Sequence, residues 1–180
     1  MKRFTLVVLP LALSAATLPA QTPRGDRGGT AAVGTLHSLW AGITGYITTT
    51  AEELPESLYA YRPTPEVRSF GQLIGHVAGA QHLICAAALG EPGGSEDDIE
   101  RTRTTKAALV EALHESTAYC ERAYAQTDAA ARQGTRLFGE ERTRLYALAL
   151  NATHNGEHYG NLVTYLRLNG RVPPSSRPSP

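Results

Sequence analysis

Apolar residues recur at three- and four-residue steps in four separate segments of this chain, which is the spacing of amphipathic helices. These segments cover residues 31–54, 65–89, about 102–127 and about 140–168. No segment shows the apolar–polar alternation of a half-buried strand. Residues 90–101, between the second and third segments, begin with glycines and a proline and are polar enough to form a loop. The pattern therefore predicts an all-α fold, a four-helix bundle.

The boundaries of two of these helices can be placed from local signals. We expect the second helix to begin at Pro65 with Thr64 as its cap, because proline suits the first turn and threonine can accept from a free N–H group. The fourth helix should end before Asn169 and Gly170, since glycine favours the left-handed conformation that follows a helix.

The fourth predicted helix is apolar on two sides. One stripe contains Leu148, Ala152 and Tyr159, and a nearly opposite stripe contains Leu150 and Leu168. A helix that is apolar on both sides packs against neighbours on both sides. The second stripe also carries side chains that we expect to face a neighbouring helix: His154, His158, Asn161 and Tyr165.

The four-residue spacing of His154 and His158 suggests a metal site. On a helix this spacing puts two imidazoles on one face, about 5 to 6 Å apart at Cβ, and both can then bind one divalent metal. Two imidazoles seldom suffice, and His76 lies within the second predicted helix. The sequence therefore predicts a site between two helices. Zinc and nickel both suit imidazole ligands, and the pattern does not separate them.

The two ends of the chain differ in composition from the rest. Residues 1–20 combine Lys2 and Arg3 with an apolar run, the layout of a secretory signal peptide. Cleavage is expected after Ala20, with residues 14–16 as a second possible position. Residues 21–30 are predicted to form a flexible leader, residues 31–171 the helical domain and residues 172–180 a disordered Pro- and Ser-rich tail. The expected location is secreted or periplasmic.

The charge balance argues against a nucleic-acid partner. Lysine plus arginine and aspartate plus glutamate each number 17, and no basic block is interleaved with aromatic residues. After the signal peptide, no apolar run reaches the ~18 residues needed to cross a bilayer. We therefore expect the partner to be a small-molecule substrate or ligand. We expect no nucleic acid as a partner and, after signal removal, no membrane. A homodimer is compatible with the sequence.

Three ordered patches of the sequence resemble the DinB/YfiT-like superfamily. They are RPTPEVRSF at residues 62–70, HVA at residues 76–78, and HNGEHYGN at residues 154–161 running into TYLRLNGRVPP at residues 164–174. The resemblance covers nearly all of the predicted helical domain. It implies a four-helix bundle of up-down-down-up topology with a divalent metal held by His76, His154 and His158. Relatives include metal-dependent thiol S-transferases and a thiol-dependent isomerase. This chain reads HYGN where the family commonly reads HRGQ.

The chain has two cysteines, Cys85 and Cys120, and an exported protein meets oxidising conditions in which they would pair. Pairing requires Cα atoms within about 7 Å. A simple antiparallel hairpin of the second and third helices would separate them by roughly 20 Å, at 1.5 Å per residue. The topology implied by the resemblance makes these helices parallel and brings both cysteines to the same level. The alternative is two buried free thiols.

Other polar and aromatic residues have simpler interpretations. Asn161 and Tyr165 continue the histidine stripe and are predicted to border the metal cavity. Glu157 directly precedes His158, about 100 degrees round the helix, and is therefore expected to be solvated rather than a general base. The remaining histidines, His37, His82 and His114, and the aromatic Trp40 and Tyr46, are expected to have structural or surface roles.

These observations favour an exported, metal-dependent enzyme of the hydrolase or transferase type that uses three histidines and Lewis-acid chemistry. Two alternatives remain open: a non-catalytic module that binds a metal or a small ligand, and an interaction bundle with a vestigial site. A serine nucleophile is not indicated, because no serine lies in a strand-to-helix elbow.

Overall fold

A computed structural model describes residues 30–178, so the predicted signal peptide and most of the predicted leader lie outside the described part of the chain. The first half contains α1 (Ala31–Glu53), α2 (Phe70–Leu89) and the short α3 (Asp98–Thr102). The second half contains α4 (Lys106–Tyr124), the short α5 (Asp128–Ala131), a hairpin of β1 (Gly134–Leu137) and β2 (Glu140–Thr143), and α6 (Arg144–Leu168). The four long helices confirm the all-α bundle.

Contacts between the long helices give their relative directions. Gln81 of α2 bonds to Ser116 of α4, and Cys85 lies beside Cys120, so residue numbers rise together and these helices are parallel. The same holds for α1 and α6, where Asn155 bonds to Thr44 and the ring of Tyr159 stacks on Tyr46. By contrast, α2 and α6 are antiparallel, since Tyr165 bonds to Arg68 while Asn151 contacts Cys85. The topology is up-down-down-up.

Cys85 and Cys120 form a disulfide between α2 and α4, with Cα atoms 5.3 Å apart. Both residues are fully buried. The bond is possible because residues 90–105 return along the length of the bundle before α4 begins, which places both cysteines at the same level. The disulfide therefore fixes two parallel helices that no short turn connects.

The second long helix begins five residues later than the sequence predicted, at Phe70 instead of Pro65. Ser69 accepts a hydrogen bond from the Gln72 backbone N–H, and the Gln72 side chain accepts one from the Ser69 N–H. This reciprocal capping box satisfies two free N–H groups, whereas Thr64 could satisfy only one. Residues 62–69 consequently form turns that are available to line a site.

Two further elements differ from the predicted pattern. The predicted loop at residues 90–101 includes α3, and residues 134–143 form an antiparallel hairpin although no strand was predicted. Its turn contains Phe138 with φ 51° and Gly139 with φ 81°, as two-residue hairpin turns require. Of the eight strand residues, only Leu137 is buried, so the hairpin carries no alternating apolar pattern in the sequence.

The Pro- and Ser-rich tail, expected to be disordered, contacts the bundle as far as Arg177. Pro174–Ser176 form a 3-10 turn, and the Tyr159 hydroxyl donates to Ser175 Oγ at 2.8 Å. Arg177 donates to the Glu53 carboxylate with an Nη1–Oε1 distance of 2.9 Å. Specific side-chain contacts therefore hold the tail against α1 and α6. Its composition did not reveal these contacts.

Among the described residues, α2 is the one helix long and apolar enough to cross a membrane, with a mean hydropathy of 1.2 over its most apolar stretch. Of the residues in that stretch, 78% are buried within the protein. Core helices of globular proteins also have this length and composition, and α2 packs against both α4 and α6.

Candidate metal centre

His76 from α2 and His154 and His158 from α6 meet between these two antiparallel helices. The Nε2 atom of His154 lies 3.3 Å from His76 Nε2 and 3.0 Å from His158 Nε2. His76 and His158 are 6% and 7% exposed, and His154 is partly buried. The four-residue spacing on α6 therefore places both imidazoles on one face, as predicted, and α2 supplies the third imidazole.

The three nitrogens fit one divalent metal. Ligand nitrogens that each lie about 2.0 to 2.1 Å from a tetrahedral zinc ion are roughly 3.3 Å from one another. The separations of His154 Nε2 from the other two, 3.3 and 3.0 Å, are close to this value, and ligand nitrogens of all three residues lie within 4.8 Å of one another. A divalent metal at their centre would let all three nitrogens act as lone-pair donors at once.

Electrostatics favour the neutral, metal-binding form of all three imidazoles. Burial lowers the pKa of His76 to about 4, with further lowering by the nearby charges of Arg68 and His154. Burial likewise lowers the pKa of His158 to about 3, and it lowers the pKa of His154 below its usual value. At neutral pH the three Nε2 atoms can thus offer lone pairs instead of protons.

The second ring nitrogens have different surroundings. His158 Nδ1 lies 3.4 Å from Asn161 Nδ2, one turn further along α6. Among the described residues, His76 Nδ1 and His154 Nδ1 are buried without a hydrogen-bond partner. Two carboxylates approach His76 Nδ1, with Asp97 Oδ1 and Glu100 Oε2 each at 3.9 Å.

Asp97 and Glu100 reach the site because α3 and the residues before it lie directly against glycines of α2. A Cβ atom on Gly75 would be 2.7 Å from Glu100 Cα, and one on Gly79 would be 2.0 Å from the Glu96 carbonyl oxygen. Any larger residue would push this segment away. Sequence reasoning missed both carboxylates, although the glycines at positions 71, 75 and 79, on one face of α2, signal a close backbone approach.

A cleft of about 710 Å³ opens beside His158. Asn161 and Tyr165 line it, and the Tyr165 hydroxyl donates to the Arg68 carbonyl oxygen at 2.8 Å. Arg68 and Glu157 also line the cleft, and Glu157 is exposed. Arg68 was not singled out from the sequence, because it lies in the irregular segment before α2. The cleft gives a small molecule access from the solvent to His158, the one histidine of the cluster that lines it.

The other histidines lie apart from this cluster. His37 and His114 pair with Glu121 and Glu52 respectively, each with an N–O distance of 2.9 Å. His82 is exposed and stacks on Tyr119. The expected structural role also suits Trp40, which is fully buried and donates to Gln81 Oε1 at 2.7 Å.

Comparisons with known proteins agree with this architecture. The chain is similar over 77% of its length to a DinB-like protein from Bacillus cereus, with a TM-score of 0.67, 16% sequence identity and 93% of that chain covered. A DinB-like protein from Bacillus subtilis gives a TM-score of 0.60 and 22% identity over the same shares of the two chains. No curated protein matches the sequence. The family model of the DinB superfamily matches residues 44–162, more than half of the chain, and the protein therefore belongs to the DinB superfamily.

Proposed function

We propose that this protein is an exported, metal-dependent enzyme of the hydrolase or transferase type that acts on a small molecule. The proposal rests above all on the three Nε2 atoms of His76, His154 and His158, which converge within 3.3 Å of their neighbours beside an open cleft. Zinc or nickel is the proposed ion, because both bind imidazole well.

Three protein ligands and an accessible cleft are typical of a catalytic site rather than a structural one, since structural zinc sites are closed by four ligands. A divalent metal in this position would supply Lewis-acid chemistry, polarising a bound group or lowering the pKa of a bound water or thiol. The chain itself contributes the neutral imidazoles, the cleft that admits the substrate, and Asn161, whose amide can hydrogen-bond a polar group beside His158.

Export is supported by two features of different kinds. Residues 1–20 have the composition of a signal peptide, and Cys85 and Cys120 are joined by a disulfide, a bond that persists in oxidising compartments. We therefore propose a secreted or periplasmic location. Thiol cosubstrates of the cytoplasm are scarce there, which favours hydrolysis over thiol transfer.

A non-catalytic metal or ligand carrier is the second candidate. Glu100, a partly buried carboxylate beside His76, is held in an ion pair by Arg68, whose Nε donates to it at 2.9 Å. Glu157 is exposed at the rim of the cleft. A carrier needs no proton-transfer group, which is the observation in its favour.

Elemental analysis of the purified protein, followed by activity screening, tests the proposal. We expect about one zinc or nickel ion per chain, and turnover by the metal-loaded but not the metal-stripped protein in a panel of ester, amide and thiol-transfer substrates. A protein that binds one ion tightly but turns over nothing in the panel would favour the carrier. A protein that takes up no divalent metal would contradict both candidates.

A further inference from the structure

His76 has one ring nitrogen in the histidine cluster and a second with no hydrogen-bond partner among the described residues. This second atom, Nδ1, is buried, and the whole residue is only 6% exposed. A buried polar nitrogen without a partner costs free energy, so a group that can accept from it is expected nearby. Asp97 and Glu100 are the carboxylates that face it, each at 3.9 Å.

The two carboxylates are at equal distance but in different environments. The side chain of Glu100 is 15% exposed, whereas that of Asp97 is 60% exposed. Arg68 Nε donates to Glu100 Oε2 at 2.9 Å and thereby holds the same oxygen that faces His76. The Arg68–Asp97 approach is longer, at 3.9 Å. Glu100 is therefore the better held and better shielded acceptor, and Asp97 is exposed to and screened by water.

The backbone that carries Glu100 is also fixed in place. Its Cα atom lies 2.7 Å from where a Cβ of Gly75 would be, and Gly75 is one residue before His76. Gly75 therefore allows α3 to approach α2 closely. This approach brings Glu100 next to the imidazole of the following residue, His76.

We propose that Glu100 is a positioning residue for His76: its carboxylate accepts the Nδ1–H, directly or through one water, and leaves the Nε2 lone pair free for the metal. A neutral imidazole carries a single N–H, so fixing it on Nδ1 also fixes which nitrogen can be a ligand. The separation of 3.9 Å suits a bridging water or a small rotation of the carboxylate. Arg68 acts one step further out, by orienting Glu100.

The inference rests on the proposed function, because the free Nε2 lone pair has a purpose only if a metal binds there. Outer groups that accept from ligating histidines fix the ring and raise its basicity, and their loss costs about 10- to 100-fold in metal affinity. The same chemistry separates Glu100 from a purely structural salt bridge, whose loss would change stability but not the tautomer of His76.

The test uses Glu100→Ala, with Asp97→Ala as its matched control at the same distance from Nδ1. We expect zinc affinity to fall by about 10- to 100-fold in the first variant and to stay near that of the unchanged protein in the second. Glu100→Gln keeps the shape of the side chain and serves if the alanine variant does not fold; it should weaken zinc binding to a smaller extent. Equal losses in the Glu100 and Asp97 variants, or no loss in either Glu100 variant, would overturn the proposal.

A second readout does not require metal. Long-range nitrogen–proton NMR on the metal-free protein should show His76 as the Nδ1–H tautomer, with a shift toward Nε2–H in Glu100→Ala. If the unchanged protein already has the proton on Nε2, the proposed role of Glu100 is wrong. If the protein takes up neither zinc nor nickel, the proposed function fails, yet the NMR spectrum still decides whether Glu100 sets the tautomer.

Discussion

Two pairs of polar residues on α6 have the same four-residue spacing but opposite surroundings. Asn151 and Asn155 face the core, where their amide N–H groups find acceptors: Asn151 Nδ2 contacts Cys85 Sγ at 3.3 Å, and Asn155 Nδ2 donates to Thr44 and Gln81. His154 and His158 face α2 and direct their Nε2 atoms at other imidazole nitrogens. The comparison shows that spacing alone does not identify a site: the histidine pair differs because its Nε2 atoms converge with the imidazole of a third histidine on a neighbouring helix.

The largest effect expected from this comparison is loss of metal binding when the histidine pair is removed. His154→Ala combined with His158→Ala removes two of the three nitrogens, and metal affinity should fall by well over 100-fold, since each outer-sphere contact alone is worth about 10- to 100-fold. The metal-free form should melt at a similar temperature to the unchanged protein. Elemental analysis and thermal melts check both points, with His82→Ala as control. Full metal occupancy in the double variant would refute the assigned ligands.

The next effect concerns the disulfide that Asn151 contacts. Replacing Cys85 and Cys120 by alanine opens a loop with a sequence separation of 35 residues. The free energy of unfolding should fall by about 3 to 4 kcal/mol. Denaturant unfolding measures the loss, and the folded variant should still take up metal. An unchanged midpoint would show that the bond contributes little to this half of the bundle.

Asn155→Leu should have a smaller effect of the same kind. The substitution leaves Thr44 without its donor and disturbs Gln81, which also accepts from Trp40. We expect a loss of about 1 to 3 kcal/mol of unfolding free energy, the cost of unsatisfied buried polar groups. Metal affinity of the folded variant should be nearly unchanged. If the variant instead lost metal affinity strongly and kept its stability, the asparagine pair would not differ in role from the histidine pair.

The smallest effect is expected from a substitution of Asp128, whose side chain contacts the start of α1. This helix also carries Thr44 and Trp40. Asp128 accepts from the backbone N–H groups of Ala32 and Val33 at 3.1 and 2.9 Å, and these bonds hold the pKa of its carboxyl below the usual value. Its stabilising contribution is full above the unfolded pKa of about 3.9 and is lost as pH falls through the lower folded value.

Asp128→Asn should therefore melt a few degrees lower at neutral pH and show a weaker loss of stability in acid. Thermal melts between neutral and strongly acidic pH make the comparison. Parallel pH profiles for the two proteins would mean that Asp128 is not the group responsible.

The helical domain and the three histidines could be predicted because their signals are local or carried by the resemblance. His154 and His158 are four residues apart on one helix, and His76 lies in a matching patch. Asp97 and Glu100 could not be found in this way. They lie in a short polar segment without periodicity, and only the return of the chain along α2 brings them to His76.

The missed details of the fold have a similar origin. The sequence predicts too early a start for α2 because Pro65 is a frequent first residue of helices. The reciprocal bonds of Ser69 and Gln72 form only when the backbone turns at these residues, which the local sequence does not reveal. The hairpin at residues 134–143 lacks an alternating pattern because it buries only Leu137. The tail gains order from tertiary contacts, including that of Ser175 with Tyr159, which composition cannot reveal.

The return of residues 90–105 along the bundle affects how this chain reaches its native state. Parallel neighbours such as α2 and α4 cannot assemble from a local hairpin, and closing the intervening segment costs entropy before any packing compensates for it. We therefore expect Cys85 and Cys120 to come within bonding distance late in folding. Until then both thiols are exposed to exchange with other chains. The rate at which they become inaccessible to an alkylating reagent should therefore report the rate at which α2 and α4 dock.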